Sequence, residues 1–148
     1  MSKKLSLLFT FLVCISTVFA QNIQSPEKFL GYKLGDQFTP HYKIVEYFKY
    51  IAQASKKVKL LQYGSTNEGR PLLAMFIASD ANINRLEEIR VNNLRLAGIE
   101  TTGAPTTNTP VICWLSYNVH GNEPSSSEAA MITLFDMVDL PIQKQRDG

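Results

Sequence analysis

Apolar positions recur at helical spacing in three stretches of this chain and in strand-like runs in three others. Ile44, Val45, Phe48, Ile51 and Ala52 follow Thr39-Pro40, which reads as an N-cap and a first-turn proline. That spacing predicts a helix ending near Ser55-Lys56. Lys57 to Leu60 alternate, Leu61 to Tyr63 continue the run, and Leu72 to Ala78 is apolar. The turn formers between them, Gly64 to Pro71, predict an antiparallel pair. Leu86, Ile89, Leu94 and Leu96 share one helical face, with Asn84 and Glu87 as the expected cap and Gly98 as the expected stop. Ile99 to Pro110, rich in Thr, Gly and Pro, reads as a surface loop. Val111 to Leu115 is too short for a helix and predicts a strand buried on both faces. Ser125 and Glu128 read as a capping box ahead of Ala129, Met131, Ile132, Phe135 and Val138. Gln21 to Phe38 reads as an extended lead-in, and Pro141 with the polar tail Gln143 to Gly148 follows the last helix.

The order helix, strand, strand, helix, strand, helix is an α/β arrangement, a mixed sheet flanked by helices on both faces. A strand covered on both faces needs neighbours, and three strands are few. The chain is therefore expected to be the N-terminal part of something larger. At 148 residues it holds one domain at most.

Residues 1 to 20 have the three-part layout of a cleavable export signal. Lys3 and Lys4 precede an apolar run from Leu5 to Ala20, and Val18-Phe19-Ala20 supplies the small-residue end, so cleavage is expected before Gln21. Sixteen apolar-run residues fall short of the ~20 that span a bilayer, which argues against a membrane anchor. Localisation is thus expected to be secreted or periplasmic. Cys14 leaves with the signal, so Cys113 remains alone, no internal disulfide can form, and Cys113 is expected to be a small buried apolar residue.

Charge narrows the partners. The chain carries 15 basic and 13 acidic residues, for a net charge of +2. Without Lys3 and Lys4 the balance is zero. A neutral surface gives no electrostatic reason to expect nucleic acid or an anionic membrane. The Gly64 to Pro71 turn lacks the Gly-Lys-Ser/Thr ending of a phosphate loop and opens no helix.

Candidate chemistry lies after the third predicted strand. His120 and Glu123 sit between that strand and the last helix, with Gly121 expected to let the backbone turn between them and Pro124 to orient the helix entry. In open α/β sheets ligands bind beyond the carboxyl ends of strands. An imidazole nitrogen and a carboxylate oxygen are both good zinc ligands. A His-x-x-Glu pair also arises by chance, and Glu123 has a second reading as a favourable negative charge at a helix N-terminus. His41 has no such partner and reads as a solvated residue of a first helical turn.

Three segments, in order, resemble the zinc carboxypeptidases of the M14 family. Trp114 to Ala130, WLSYNVHGNEPSSSEAA, is similar to that family's first metal-binding segment, a hydrophobic strand ending in His-x-x-Glu before a helix. Tyr63 to Leu72, YGSTNEGRPL, resembles its hairpin segment, where a Gly-x-(Ser/Thr)-x-Glu-Gly-Arg pattern joins the first two strands. SPEKFLGYKLG and TPHYKIVEYFKYIAQAS are similar to the N-terminal helix region of large bacterial members. Together these segments cover most of residues 25 to 140.

The resemblance implies a peptide or peptide-like substrate and a single Zn2+ held by His120, Glu123 and a later His, with a downstream Glu as general base. Some members carry Arg just before the ligand Glu to help position substrate; Asn122 stands there instead. No His follows Glu123, and the one later Arg, Arg146, lies in the polar tail. The third ligand and the general base are thus expected past Gly148, and the 148 residues alone are expected to be inactive. Two alternatives stay open: a zinc-dependent N-acyl amino acid deacylase, and a non-catalytic secreted binding module on the same scaffold.

Overall fold

A computed structural model describes residues 23–107 and 109–139. The expected export signal and its cleavage point, Pro141 and the polar tail with Arg146 lie outside the described residues. Helix α1 spans Pro26–Leu30, α2 His41–Ala54, α3 Asp80–Ile83, α4 Leu86–Leu96 and α5 Ser125–Asp139, while strands β1 and β2 span Val58–Ser65 and Pro71–Ile77. Among the described residues no helix is long and apolar enough to cross a membrane.

The hydrophobic core sits where α2, α5 and the hairpin meet. Ile44, Tyr47 and Ile51 come from one face of α2, Val58 from β1, and Met131, Leu134 and Val138 from α5. Tyr47, Ile51 and Met131 are fully shielded from solvent. Phe29 of α1 closes one end, its ring edge-on to Tyr47 at 5.1 Å and stacked with Tyr50 at 5.4 Å. The Tyr47 hydroxyl donates to the Gln24 carbonyl (3.0 Å), and the Gln24 N–H donates to the Tyr50 hydroxyl (2.9 Å). Each polar end of these rings is thus satisfied as the ring is buried.

The lead-in differs from the extended reading. Ser25 caps the Lys28 N–H, Pro26 opens α1, and Gly31 ends it at a φ of 81°, where only glycine turns cheaply. Helix α2 forms as expected, but its N-cap is Pro40, without a side-chain bond. The Thr39 side chain is buried and bonded elsewhere. The expected Asn84–Glu87 cap is also corrected. Asn84 ends α3, Arg85 precedes α4, and Glu87 pairs with Arg90 across one turn at 2.6 Å. The stop at Gly98 holds: it is left-handed (φ 71°), its N–H reaches the Arg95 carbonyl (3.0 Å), and the Ile99 N–H reaches Leu94 (2.9 Å).

Strands β1 and β2 pair antiparallel from Val58↔Ile77 to Ser65↔Pro71. The register slips by one residue between Gln62 and Gly64, leaving Tyr63 as the extra residue of a bulge. One face, with Val58, Leu60, Met75 and Ile77, turns toward α2 and the core. The other carries Leu61 and Phe76 into solvent, 46% and 38% exposed. The sheet among the described residues is two-stranded and covered on one face. The α/β class stands, while the pairing among the described residues is antiparallel and does not show the expected mixed sheet with helices on both faces.

The largest departure is at Val111 to Leu115. The segment forms no strand and is open to solvent, with Val111 96%, Ile112 60% and Trp114 79% exposed. Cys113, expected buried, is exposed with it. The physical reason is pairing. A strand is stable only with neighbours that take its N–H and C=O groups, and among the described residues no strand pairs with this segment.

Two outcomes are expected. An exposed apolar run of this kind drives association. Sedimentation velocity of residues 21 to 148 is expected to show concentration-dependent oligomers, reduced by the double change Ile112→Lys and Trp114→Lys; a monodisperse wild type would contradict it. The second concerns Tyr47. Burial first, then Tyr50, Asp136 and Asp139, pushes its phenol far above the ordinary value of 10.0. The unfolded chain loses this proton near pH 10 while the folded chain keeps it, so stability is intact below pH ~10 and falls above it. Urea unfolding at rising pH is expected to show a shallower alkaline decline in Tyr47→Phe than in wild type. Equal slopes would remove Tyr47 as the cause.

Candidate functional site

The turn that carries His120 and Glu123 is closed by its own flanks. Tyr117 donates its hydroxyl to Thr133 of α5 (2.9 Å), since the Thr133 proton is committed to the Ala129 carbonyl. One residue on, the Asn118 N–H donates to the Ser126 hydroxyl (2.6 Å), and the Ser127 hydroxyl donates to the Asn118 side-chain oxygen (2.9 Å). These bonds tie the start of the turn to the first turn of α5. Inside the closed stretch the Glu123 N–H donates to the His120 carbonyl (3.1 Å), and the Ser127 N–H to Pro124 (3.1 Å), which opens the helix.

The backbone turns twice here, at Asn118 and again at Gly121-Asn122, the centre of the turn that the Glu123 N–H closes on the His120 carbonyl. Asn118 has a φ of 58°, the one positive value among the described non-glycine residues. Asn tolerates this left-handed conformation better than most residues. Gly121 lies outside that region, and a side-chain carbon built on it would meet nothing within 4 Å. The turn between His120 and Glu123 falls at Gly121 as expected, but without a positive φ there it does not depend on glycine.

The turn brings the two expected ligands together. His120 Nδ1 and Glu123 Oε1 stand 3.2 Å apart, with the side chains 68% and 60% exposed. At that exposure the pair contributes at most about 1 kcal/mol to folding. A proton fills the gap as a hydrogen bond. A divalent cation fits it as well: two ligand atoms at ~2.0–2.2 Å from a tetrahedral zinc lie ~3.3 Å apart. The donor set, one imidazole and one carboxylate, is of the kind zinc takes. Among the described residues no group of three or more His, Cys, Asp or Glu gathers around a common point.

No family model, no curated protein and no solved structure matches this chain. The site's meaning rests on its own geometry.

His41, read as solvated, is the exposed first residue of α2. It lines an open cleft of about 690 Å³ together with Phe38, Tyr42, Lys49 and Arg70, on a wall that includes neither His120 nor Glu123. The hairpin turn beside that cleft is closed by the Thr66 N–H on Arg70 (2.8 Å) and by Gly69 at a φ of 76°, with Arg70 and Glu68 paired at 2.7 Å.

Sequence reading missed Asn118, Ser126 and Ser127. Their only signal is local: an Asn seven residues before the helix begins, and consecutive serines in a first helical turn. Both patterns are common in loops. The conformation at Asn118 can be tested directly. Asn118→Ala, which keeps a Cβ in the left-handed region but loses the amide that makes the conformation tolerable and the Ser127 acceptor, is expected to cost about 1–2 kcal/mol. Asn118→Gly removes the same acceptor without the steric cost and is expected to cost less. Equal losses on urea unfolding would assign the effect to the side-chain bond alone.

Proposed function

We propose that this chain carries part of the zinc site of a secreted metallocarboxypeptidase, with His120 and Glu123 as two of its metal ligands. The observation that supports the reading most is the 3.2 Å approach of His120 Nδ1 to Glu123 Oε1 on an exposed turn just ahead of α5. The resemblance of Trp114 to Ala130, of the hairpin turn and of the lead-in to zinc carboxypeptidases supports the reaction class: hydrolysis of the C-terminal peptide bond of a peptide or peptide-like substrate. The third ligand and the general base belong, in this reading, past Gly148.

Zinc bound there would lower the pKa of a coordinated water and polarise the scissile carbonyl. The chain's own part is to present the ligands. Glu123 Oε1 faces His120 Nδ1, so this ring nitrogen is the one turned toward a cation the two would share. The Asn118–Ser126 and Asn118–Ser127 bonds hold the turn, so that the two side chains converge without first being ordered. Asn122, beside Glu123, offers an uncharged amide where an Arg would bring a cation to the substrate.

A second reading has its own observation. The exposed Val111, Ile112 and Trp114 present a continuous apolar strip next to the turn, which suits a non-catalytic secreted binding module.

The test is metal content. The natural full-length protein is expected to hold about one zinc per chain and to release C-terminal residues from peptides. His120→Ala is expected to lose the metal and the activity together, measured by elemental analysis and by residue release. Zinc content unchanged in His120→Ala would remove the ligand assignment. Zinc retained by wild type without peptide hydrolysis would favour the binding module.

A further inference from the structure

We propose that Glu128 is a positioning residue for the His120–Glu123 pair, acting through the first turn of α5; the proposal rests on the metal-site reading above. The starting point is where Glu128 points. As a capping-box residue it would turn back to its own helix start. Instead its carboxylate reaches the lead-in loop, about ninety residues earlier. Oε2 accepts the Gly35 N–H at 2.8 Å, and Oε1 accepts the buried Thr39 hydroxyl at 2.5 Å. The Tyr32 hydroxyl lies 2.9 Å from Thr39 Oγ1. Thr39 has spent its proton on Glu128, so Tyr32 is the donor. Two donors thus converge directly on one carboxylate and a third backs them through Thr39, and bonds to a charged acceptor are the stronger kind.

This anchor sits where α5 has no other hold on the core. The buried residues of α5 are Ala130, Met131, Leu134 and Val138, so hydrophobic packing begins one turn after the helix does. Its first turn, Ser125 to Glu128, contains no buried residue. Helix ends fray unless tertiary contacts hold them. Yet Ser126 and Ser127 of this turn are the residues that grip Asn118 and close the His120–Glu123 turn. Three consecutive residues therefore join two segments: Ser126 and Ser127 hold the turn on one side, and Glu128 holds the lead-in on the other. With Glu128 released, the serines grip the turn from a helix end that is itself loose, and the 3.2 Å spacing is no longer enforced.

The experiment compares the natural full-length protein with Glu128→Gln, Thr39→Val and Thr39→Ser. Zinc affinity is measured by competition with a chromophoric chelator, well below each variant's Tm, so that only folded protein is compared. Amide hydrogen exchange at Asn118 and Glu123 is measured on the metal-free protein. Glu128→Gln keeps the size but cannot accept from both donors. Glu128→Gln and Thr39→Val are expected to weaken zinc about tenfold or more, the usual scale for groups that orient ligands, and to speed exchange at both amides. Thr39→Ser keeps the hydroxyl and is expected to restore both. A lower Tm with unchanged exchange, or with unchanged affinity in a protein that binds zinc, would overturn the proposal, because Glu128 would then support the fold alone. If the wild type and His120→Ala both bind no zinc, the metal reading falls by itself. Exchange at Asn118 and Glu123 then decides the positioning role: faster in Glu128→Gln upholds it, unchanged overturns it.

Discussion

The contact between α2 and α5 is the constraint on which the rest of this structure depends. Tyr47 and Ile51 on one side, with Met131, Leu134 and Val138 on the other, make up most of the buried core. Fully burying such side chains is worth roughly 1.5–3 kcal/mol each, before the cost of ordering the chain. The two helices are far apart in sequence, so their contact encloses everything between them: the hairpin, α3, α4 and the long loop. The hairpin lays Val58 against this core but contributes no second buried face. An isolated two-stranded sheet is marginal in water, so β1 and β2 owe their stability to the helix pair beneath them.

The polar contacts follow from the same packing. Burying Tyr47 and Tyr50 places two hydroxyls beside the backbone of Gln24, and both find partners there. Burying Asn92 places a side-chain amide beneath the loop after α4, where its oxygen accepts the Thr106 N–H (2.7 Å) and its amide donates to the Thr106 carbonyl (3.0 Å) and to Thr109. Among the described residues no buried side-chain nitrogen or oxygen is left without a partner. The candidate site is built differently. It lies at the exposed end of α5, where the spacing of His120 and Glu123 is set by hydrogen bonds rather than by packing.

What the sequence made legible divides along that line. Helices α2 and α5 were readable because a 3.6-residue apolar period is a property of the segment alone, and Gly98 was readable because a left-handed stop needs one residue type. The hairpin was readable from its turn formers. His120 and Glu123 were readable as a pair, and the fold brings them together. The errors share a cause. The capping box at Ser125 and Glu128 and the cap at Asn84 and Glu87 assumed that a side chain bonds to its nearest backbone. Glu128 found Gly35 and Thr39, and Glu87 found Arg90. Val111 to Leu115 assumed neighbours that a strand cannot supply for itself. In each case the outcome turned on a partner that local pattern does not name.

An exposed pair fixed by hydrogen bonds suits a ligand better than a buried one would. A metal entering between buried groups must first displace packed atoms or water from a low-dielectric pocket, and two unliganded polar groups held there would cost the fold several kcal/mol. At 68% and 60% exposure His120 and Glu123 stay hydrated and cost the fold little while no ligand is bound. Exposure alone would leave them free to rotate apart, with affinity lost to ordering on every encounter. The left-handed Asn118 and the serines of α5 restrain the backbone beneath them instead. The turn thus keeps the imidazole nitrogen and the carboxylate oxygen close without burying them, and it does so at the end of α5 that the core stabilises least.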